Sequence, residues 1–231
     1  MISLPRPSDA SSAPAHWQSI LSSHGWAQIH RPATDEDGFR ASVIEVASEL
    51  GELVPGRKRA IVERLTPRDH GTAYTSSLSA RYGLEALPLH VDGSHWAVPA
   101  RYLVLACVDP GEGNTPTLLC DRTSIRLSAE QERLTRSALF HIQNGRRSFY
   151  AGIRSSDDRY IRYDPGSMRP VSAEASDALA IFSARMVQDN LMSFPWRSGE
   201  ILIIDNWRML HGRGSATNAG LSRVLLRCTV L

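Results

Sequence analysis

"LPLHVDGSHWAVPARYLVLACVDPGEG", residues 87–113, decides how this chain is read. Its second half, "ARYLVLACVD", is an apolar run closed by Asp, Pro and Gly, the pattern of a buried strand. Its first half sets His90 and Asp92 one residue apart, just ahead of that strand. One reading is a turn that contains polar residues. The other is half of a metal site, because His-x-Asp on an extended segment turns both side chains to the same side.

Working outward, the pattern stays β. "TPTLLCD" (115–121), "RRSFYAGI" (146–153), "RYIRYD" (159–164), "EILIID" (200–205) and "LSRVLLRCTVL" (221–231) read as strands. Two helices interrupt them. One starts at Ser128, with Gln131 at capping-box spacing, and the other covers "SAEASDALAIFSARMVQDN", 172–190. Before residue 87, "HWQSILSSHGWAQIH" gives a short helix ending near Gly25 and a strand over Trp26–His30. "TDEDGFRASVIEVASELGELV" carries acidic residues in its first turn and apolar residues at helical spacing, so it is an amphipathic helix. "AIVERLTP" is a strand, and the Ser-, Thr- and Gly-rich stretch from there to Gly83 is a loop. No repeat or linker divides the chain. Many short strands with a few helices predict a mainly β sandwich or barrel rather than a doubly wound sheet.

The 231 residues are enough for one domain with a sizeable core, the first 14 standing apart as a flexible lead. The formal charge of +2 is too small to point to nucleic acid, and no basic stripe is interleaved with aromatics. No apolar stretch approaches the ~18 residues that cross a bilayer, and the N-terminus lacks a signal-peptide pattern. The expected location is the cytoplasm. Cys107, Cys120 and Cys228 lie in strand-like apolar contexts without a CxxC pair, as buried reduced thiols do. Lys58 is the only lysine, so a cation that binds a carboxylate here is an arginine.

"ILIIDNWRMLHGRG", 201–214, completes the metal reading: an apolar strand ends in a polar turn and delivers His211. Two histidines and one carboxylate on one face of a metal form the facial triad of non-haem Fe(II) oxygenases, which leaves positions open. Arg223 and Arg227 lie four apart on the final strand and so share a face. Two inward arginines in an apolar strand are expensive to bury unless an anion meets them, and a dicarboxylate co-substrate beside the metal is such an anion.

Together "LPLHVDGSHWAVPARYLVLACVDPGEGNTPTLLCD", "RYIRYDPGSMRP", "ILIIDNWRMLHGRG" and "LSRVLLRCTVL" resemble the Fe(II)/2-oxoglutarate-dependent dioxygenases of the taurine dioxygenase and clavaminate synthase-like family, from about residue 20 to the C-terminus. The resemblance implies a double-stranded β-helix (jelly roll) with flanking helices, and the cofactors Fe(II), 2-oxoglutarate and O2. It implies His90, Asp92 and His211 as iron ligands. It implies Thr117 and Arg223 on the far carboxylate of 2-oxoglutarate, and Arg227 nearer the metal-bound end. The implied reaction is hydroxylation of an unactivated C–H in a small polar substrate (an amino acid, a small acid or a natural-product intermediate), with release of succinate and CO2. A Zn-dependent hydrolase on the same ligands and a jelly-roll ligand-binding protein stand as alternatives. The partner expected is a small molecule, not nucleic acid or membrane.

Around this set, His95 is expected on a loop over the pocket, and Trp96 reads equally as pocket wall or core aromatic. Asp205, Asn206, Trp207 and Arg208 could orient a metal-bound imidazole or simply stabilise a turn. Arg162 and Asp164 alternate to one face and could pair. Arg146 and Arg147 read as a solvated hairpin tip. His16, His24, His30, His70 and His141 lack metal-like spacing. Thr75–Tyr82, His95–Trp96 and the 145–165 hairpin are the expected substrate walls.

Overall fold

The computed structural model describes residues 2–3, 14–56, 59–75, 77–189, 191–216 and 221–231. The flexible lead expected over 1–14 falls almost wholly outside these. Two β-sheets face each other. One runs β2 (Trp26–His30), β12 (Glu200–Asp205), β6 (Tyr102–Asp109), β14 (Val224–Val230) and β3 (Leu53–Val54), with β4 (Glu63–Leu65) also on β14. The other runs β1 (Ile2–Ser3), β11 (Met192–Phe194), β7 (Thr117–Asp121), β13 (Met209–Arg213) and β5 (Leu87–His90). All pairings are antiparallel except β1 with β11. The fold is the jelly roll that the sequence implied.

The unbroken apolar strands follow from burial on both faces. Leu103, Leu105 and Cys107 of β6 and Leu202 and Ile204 of β12 point inward, where they meet Leu119, Phe194 and Met209 of the other sheet. Their alternates Val104, Ala106, Ile201 and Ile203 point outward, against α1 (Pro14–His24) and α2 (Glu36–Ser48) through Trp17, Leu21, Phe39 and Val43. A strand covered on both sides has no polar position to spare. The outer face of the second sheet is covered by a three-stranded sheet, β10 (Met168–Pro170), β8 (Phe140–Asn144) and β9 (Arg147–Ala151), with α5 (Ala173–Gln188). The helix expected at Ser128 is α4 (Ala129–Ser137), and its capping box with Gln131 is formed.

Two local expectations are corrected. "RYIRYD" is not a strand: only a single bridge, Arg154 to Ile161, forms there. Its backbone groups bond irregularly instead, Arg162 N to Ile153 O and Val91 N to Tyr163 O. The loop before Gly83 contains a short helix, α3 (Leu78–Tyr82). The polar turn after β12 delivers His211 onto a strand of its own, β13, to which 206–208 carry the chain across from one sheet to the other. Among the described residues no helix is long and apolar enough to cross a membrane. Cys107, Cys120 and Cys228 are free and buried, and burial raises their thiols to about 12, 11 and 11, well away from reactivity.

Candidate metal centre and co-substrate pocket

His90 is the last residue of β5, and His211 lies directly opposite it on β13. Their rings are 4.4 Å apart, centre to centre. Asp92 follows on a backbone pinned from two sides. Asn206, fully buried, accepts from Asp92 N (3.0 Å) and donates both to Asp92 O (3.0 Å) and to Ala100 O (2.8 Å). Asp92 Oδ1 then lies 3.4 Å from His90 Nε2 and 3.8 Å from His211 Nε2. One donor atom from each of the three residues falls within 4.8 Å of the others.

The protonation pattern suits a cation. His90 Nδ1 is 2.9 Å from Pro88 O, a pure acceptor, so Nδ1 carries the proton and Nε2 offers its lone pair to the cluster. Burial, reinforced by the neighbouring His90, pushes His211 down to about 3, which keeps that ring neutral. Burial would push His90 down too, but the Asp92 carboxylate outweighs it and raises that ring. For Asp92 itself burial is outweighed by the Arg227 guanidinium and by His90, and its carboxyl is held well below the usual range. Arg227 donates Nη1 to Asp92 Oδ2, and holds Glu63 Oε2 with Nη2 (2.6 Å) and Nε (3.2 Å). Oδ2 is therefore capped, while Oδ1 faces the imidazoles. One imidazole that burial keeps neutral, a second that would give up its Nε2 proton to a metal, and one carboxylate oxygen form a donor set that fits Fe(II).

All three residues line a cavity of about 450 Å³ that also contains Thr117, Arg223 and Arg227. Thr117 Oγ1 accepts from Trp196 Nε1 at 3.1 Å, so its own O–H remains to be donated. Arg223 immediately precedes β14, beside a register shift at Val224, yet it reaches the same cavity as Arg227. It donates Nη1 to Thr115 O at 2.7 Å, and its buried Nε has no partner. Burial, and then the charge of Arg213, bring its guanidinium down to about 10. A strongly desolvated cation with an unused donor is a site for an anion. Arg227 lies at the metal end, as expected, but its fork is engaged by Asp92 and Glu63.

The remaining expectations sort by position. His95 lines the cavity and lies outside the ligand cluster. Trp96 packs edge-on against His95, behind the lining. Arg162 and Asp164 do not pair with each other. Arg162 donates to the carbonyls of Ser94, Trp96 and Ala97, and Asp164 accepts from Ser94 Oγ (3.1 Å) and Gly166 N (2.7 Å). Together they hold the His95 loop, with Trp207 Nε1 on Pro99 O. Asp205 accepts from Trp207 N and pairs with Arg101, so it stabilises the turn, whereas Asn206 orients a ligand. Arg147 is exposed, although Gly145 at the hairpin tip lines the cavity. His16, His24, His30, His70 and His141 stand outside the cluster.

Two residues were missed. Glu63 carries no motif. Arg213 was legible: it lies two residues past His211 on one strand, hence on the same face.

Residues 123–229 match the family model described as "Taurine catabolism dioxygenase TauD, TfdA family". No curated protein matches the sequence. The fold is that of several solved iron oxygenases. An asparagine oxygenase in complex with Fe(II), 2S,3S-3-hydroxyasparagine and succinate superposes with a TM-score of 0.75 at 17% identity, over 94% of this chain and 77% of that one. The non-heme iron oxygenase OrfP in complex with Fe gives 0.71 at 19%, over 94% and 79%. PvcB from Pseudomonas aeruginosa gives 0.71 at 20%, over 95% and 80%. The family match is confined to residues 123–229, and the chain shares the fold of these oxygenases over most of its length.

Proposed function

We propose that the protein is an Fe(II)- and 2-oxoglutarate-dependent dioxygenase that hydroxylates a small polar substrate. One observation carries this reading: His90, Asp92 and His211 converge within 4.8 Å in the same cavity as the uncompensated guanidinium of Arg223. A metal-only hydrolase needs the first feature and has no use for the second.

The bound metal, with 2-oxoglutarate and O2, supplies the oxidising chemistry that places oxygen on a C–H carbon while succinate and CO2 leave. The chain's residues bind and position. His90 Nε2, His211 and Asp92 Oδ1 would hold the metal, and Arg227, which occupies Oδ2, leaves Oδ1 for it. Asn206 fixes the backbone from which Asp92 projects. Arg223 and the Thr117 hydroxyl take the far carboxylate of 2-oxoglutarate. No side chain needs to act as general acid or base.

The rest of the cavity, including Ser77, Arg81, His95, Gln143, Asp164 and Arg169, is polar and of both charge signs. Such a lining suits an amino acid or small acid, and the asparagine oxygenase and OrfP structures hold hydroxylated amino acids. Buried free thiols suit a cytoplasmic location, and among the described residues no helix is long and apolar enough to cross a membrane. The test is a screen of amino acids and small acids for O2- and 2-oxoglutarate-dependent succinate release, with the product heavier by one oxygen atom. Binding of 2-oxoglutarate without succinate release under any condition would mark a binding protein instead.

A further inference from the structure

Arg213 is a buried cation of the cavity to which the reading above gives no task. It ends β13, and antiparallel register sets it directly opposite Thr117 of β7. Residues so opposed have Cβ atoms about 4.5–5.5 Å apart on one face of the sheet. The Arg213 side chain therefore starts from the same patch of sheet as the Thr117 hydroxyl. Arg213 and Arg223 are each only 6% exposed, both line the cavity, and they are near enough for the charge of one to act on the other.

Their partners are all neutral. Arg213 donates Nη2 to Gly83 O and Glu85 O, both at 2.7 Å, and Nε to Gly214 O at 3.3 Å, while Arg223 donates to Thr115 O. Among the described residues no carboxylate forms an ion pair with either. Two adjacent buried cations repel each other and lack an internal counter-charge, so an anion entering from the cavity is what balances them. One guanidinium can meet a carboxylate through two donors, and a pair brackets it.

The carbonyls that Arg213 holds belong to the segment that leads from α3 into β5. Ala216 N ties the same segment through Leu84 O at 2.8 Å. The helix α3 and the residues before it form a wall of the cavity through Ser77, Leu78 and Arg81. Arg213 thus stands between the co-substrate end of the pocket and one substrate wall.

We propose that Arg213 is a second cation for the far carboxylate of the co-substrate, and that through Gly83 and Glu85 it makes co-substrate binding set the α3 wall. This rests on the reading that the cavity takes 2-oxoglutarate. The α3 wall is then fixed only when the bound 2-oxo acid carries a second carboxylate that reaches Arg213.

The experiment uses the full chain loaded with Fe(II) under argon, titrated with 2-oxoglutarate or with pyruvate, a 2-oxo acid that lacks the far carboxylate. Dissociation constants and amide hydrogen exchange over residues 78–86 are read together. In the wild type, 2-oxoglutarate should slow exchange over 78–86 and pyruvate should not. Arg213→Gln should weaken 2-oxoglutarate binding roughly tenfold or more, leave pyruvate binding unchanged, and abolish the slowing. Arg213→Lys keeps the charge without the planar fork, so it should recover part of the affinity but not the protection of 78–86. The proposal is overturned if Arg213→Gln binds 2-oxoglutarate as the wild type does, or if both acids slow exchange equally in the wild type. Should Arg213→Gln fail to fold, Arg213→Lys decides: 2-oxoglutarate affinity and protection of 78–86 both equal to those of the wild type overturn the proposal. A metal-loaded wild type that binds pyruvate and 2-oxoglutarate with no difference in affinity also overturns it, whereas one that binds neither overturns the functional reading beneath it.

Discussion

Arg227 and Asp92 form a partly buried pair in which the arginine occupies the carboxylate oxygen that faces away from the two imidazoles. Glu63, directly across from Arg227 on β4, holds the other side of the same guanidinium. Asp92 is thereby kept ionised and turned, with one oxygen for the metal. Replacing Arg227 by Met leaves two partly buried carboxylates without their cation, a change that costs less than the ~3–5 kcal/mol of a fully buried pair but still destabilises. The expected outcome is a lower melting temperature and weaker Fe(II) binding. A variant that melts and binds metal like the wild type would remove Arg227 from this role.

The histidines predict how the metal-free protein responds to pH. The folded His211 ring stays neutral down to about pH 3, whereas the unfolded ring takes a proton near its ordinary value of 6.5. Below pH 6.5 the unfolded state therefore binds more protons at this position, and stability falls as the pH is lowered. His90 has the opposite sign. Its raised value means that the folded state gains a proton first, so its contribution grows as the pH falls towards 6.5 and is complete below it. The melting temperature of chelator-treated protein should show the His211 loss below pH 6.5, and His211→Leu should flatten that limb.

Metal loading gives the direct check on the triad. Anaerobic titration should show one Fe(II) per chain, with a weak visible charge-transfer band once 2-oxoglutarate is added. His90→Ala and His211→Ala should each lose the band while far-ultraviolet circular dichroism persists. Full activity in either variant would sink the ligand assignment.

Arg223 and Thr117 separate a charge from a hydrogen bond. Arg223→Leu should weaken 2-oxoglutarate binding by about 2–5 kcal/mol, and Thr117→Val by only about 1 kcal/mol. Because Arg223 is buried without a counter-charge, Arg223→Leu should leave the ligand-free protein as stable as before or more so. The melting-temperature rise that 2-oxoglutarate gives the wild type should vanish in it. An Arg223→Leu variant with an unchanged 2-oxoglutarate response would hand the role to another cation.

Asn206→Ala strips partners from Asp92 N, Asp92 O and Ala100 O at a buried position. Each group left unpaired costs about 1–3 kcal/mol. Thermal melts should show that loss, and Fe(II) affinity should fall although no ligand has changed. Unaltered metal affinity would make Asn206 a turn residue only.

By itself the sequence determined most of the strand content and singled out the three residues that converge at the candidate metal centre. "YLVLACV" and "ILII" are apolar at every position because both faces of β6 and β12 are covered, one by the opposite sheet and one by helices. His90, Asp92 and His211 stand out because imidazole and carboxylate are costly at the ends of such strands without a task. Tertiary structure alone decided the pairings: His211 against His90, Arg213 against Thr117, Arg227 against Glu63, and Asn206 against the backbone of Asp92. The physical reason is range. Periodicity is written by near neighbours along the chain, so it can be read locally. Register between strands far apart in sequence is fixed only when the whole sandwich closes, since a slip of one residue would turn every inward side chain outward. The same limit hid Glu63, whose significance lies across the sheet from it, and it explains "RYIRYD", which alternates like a strand but has no ladder to join.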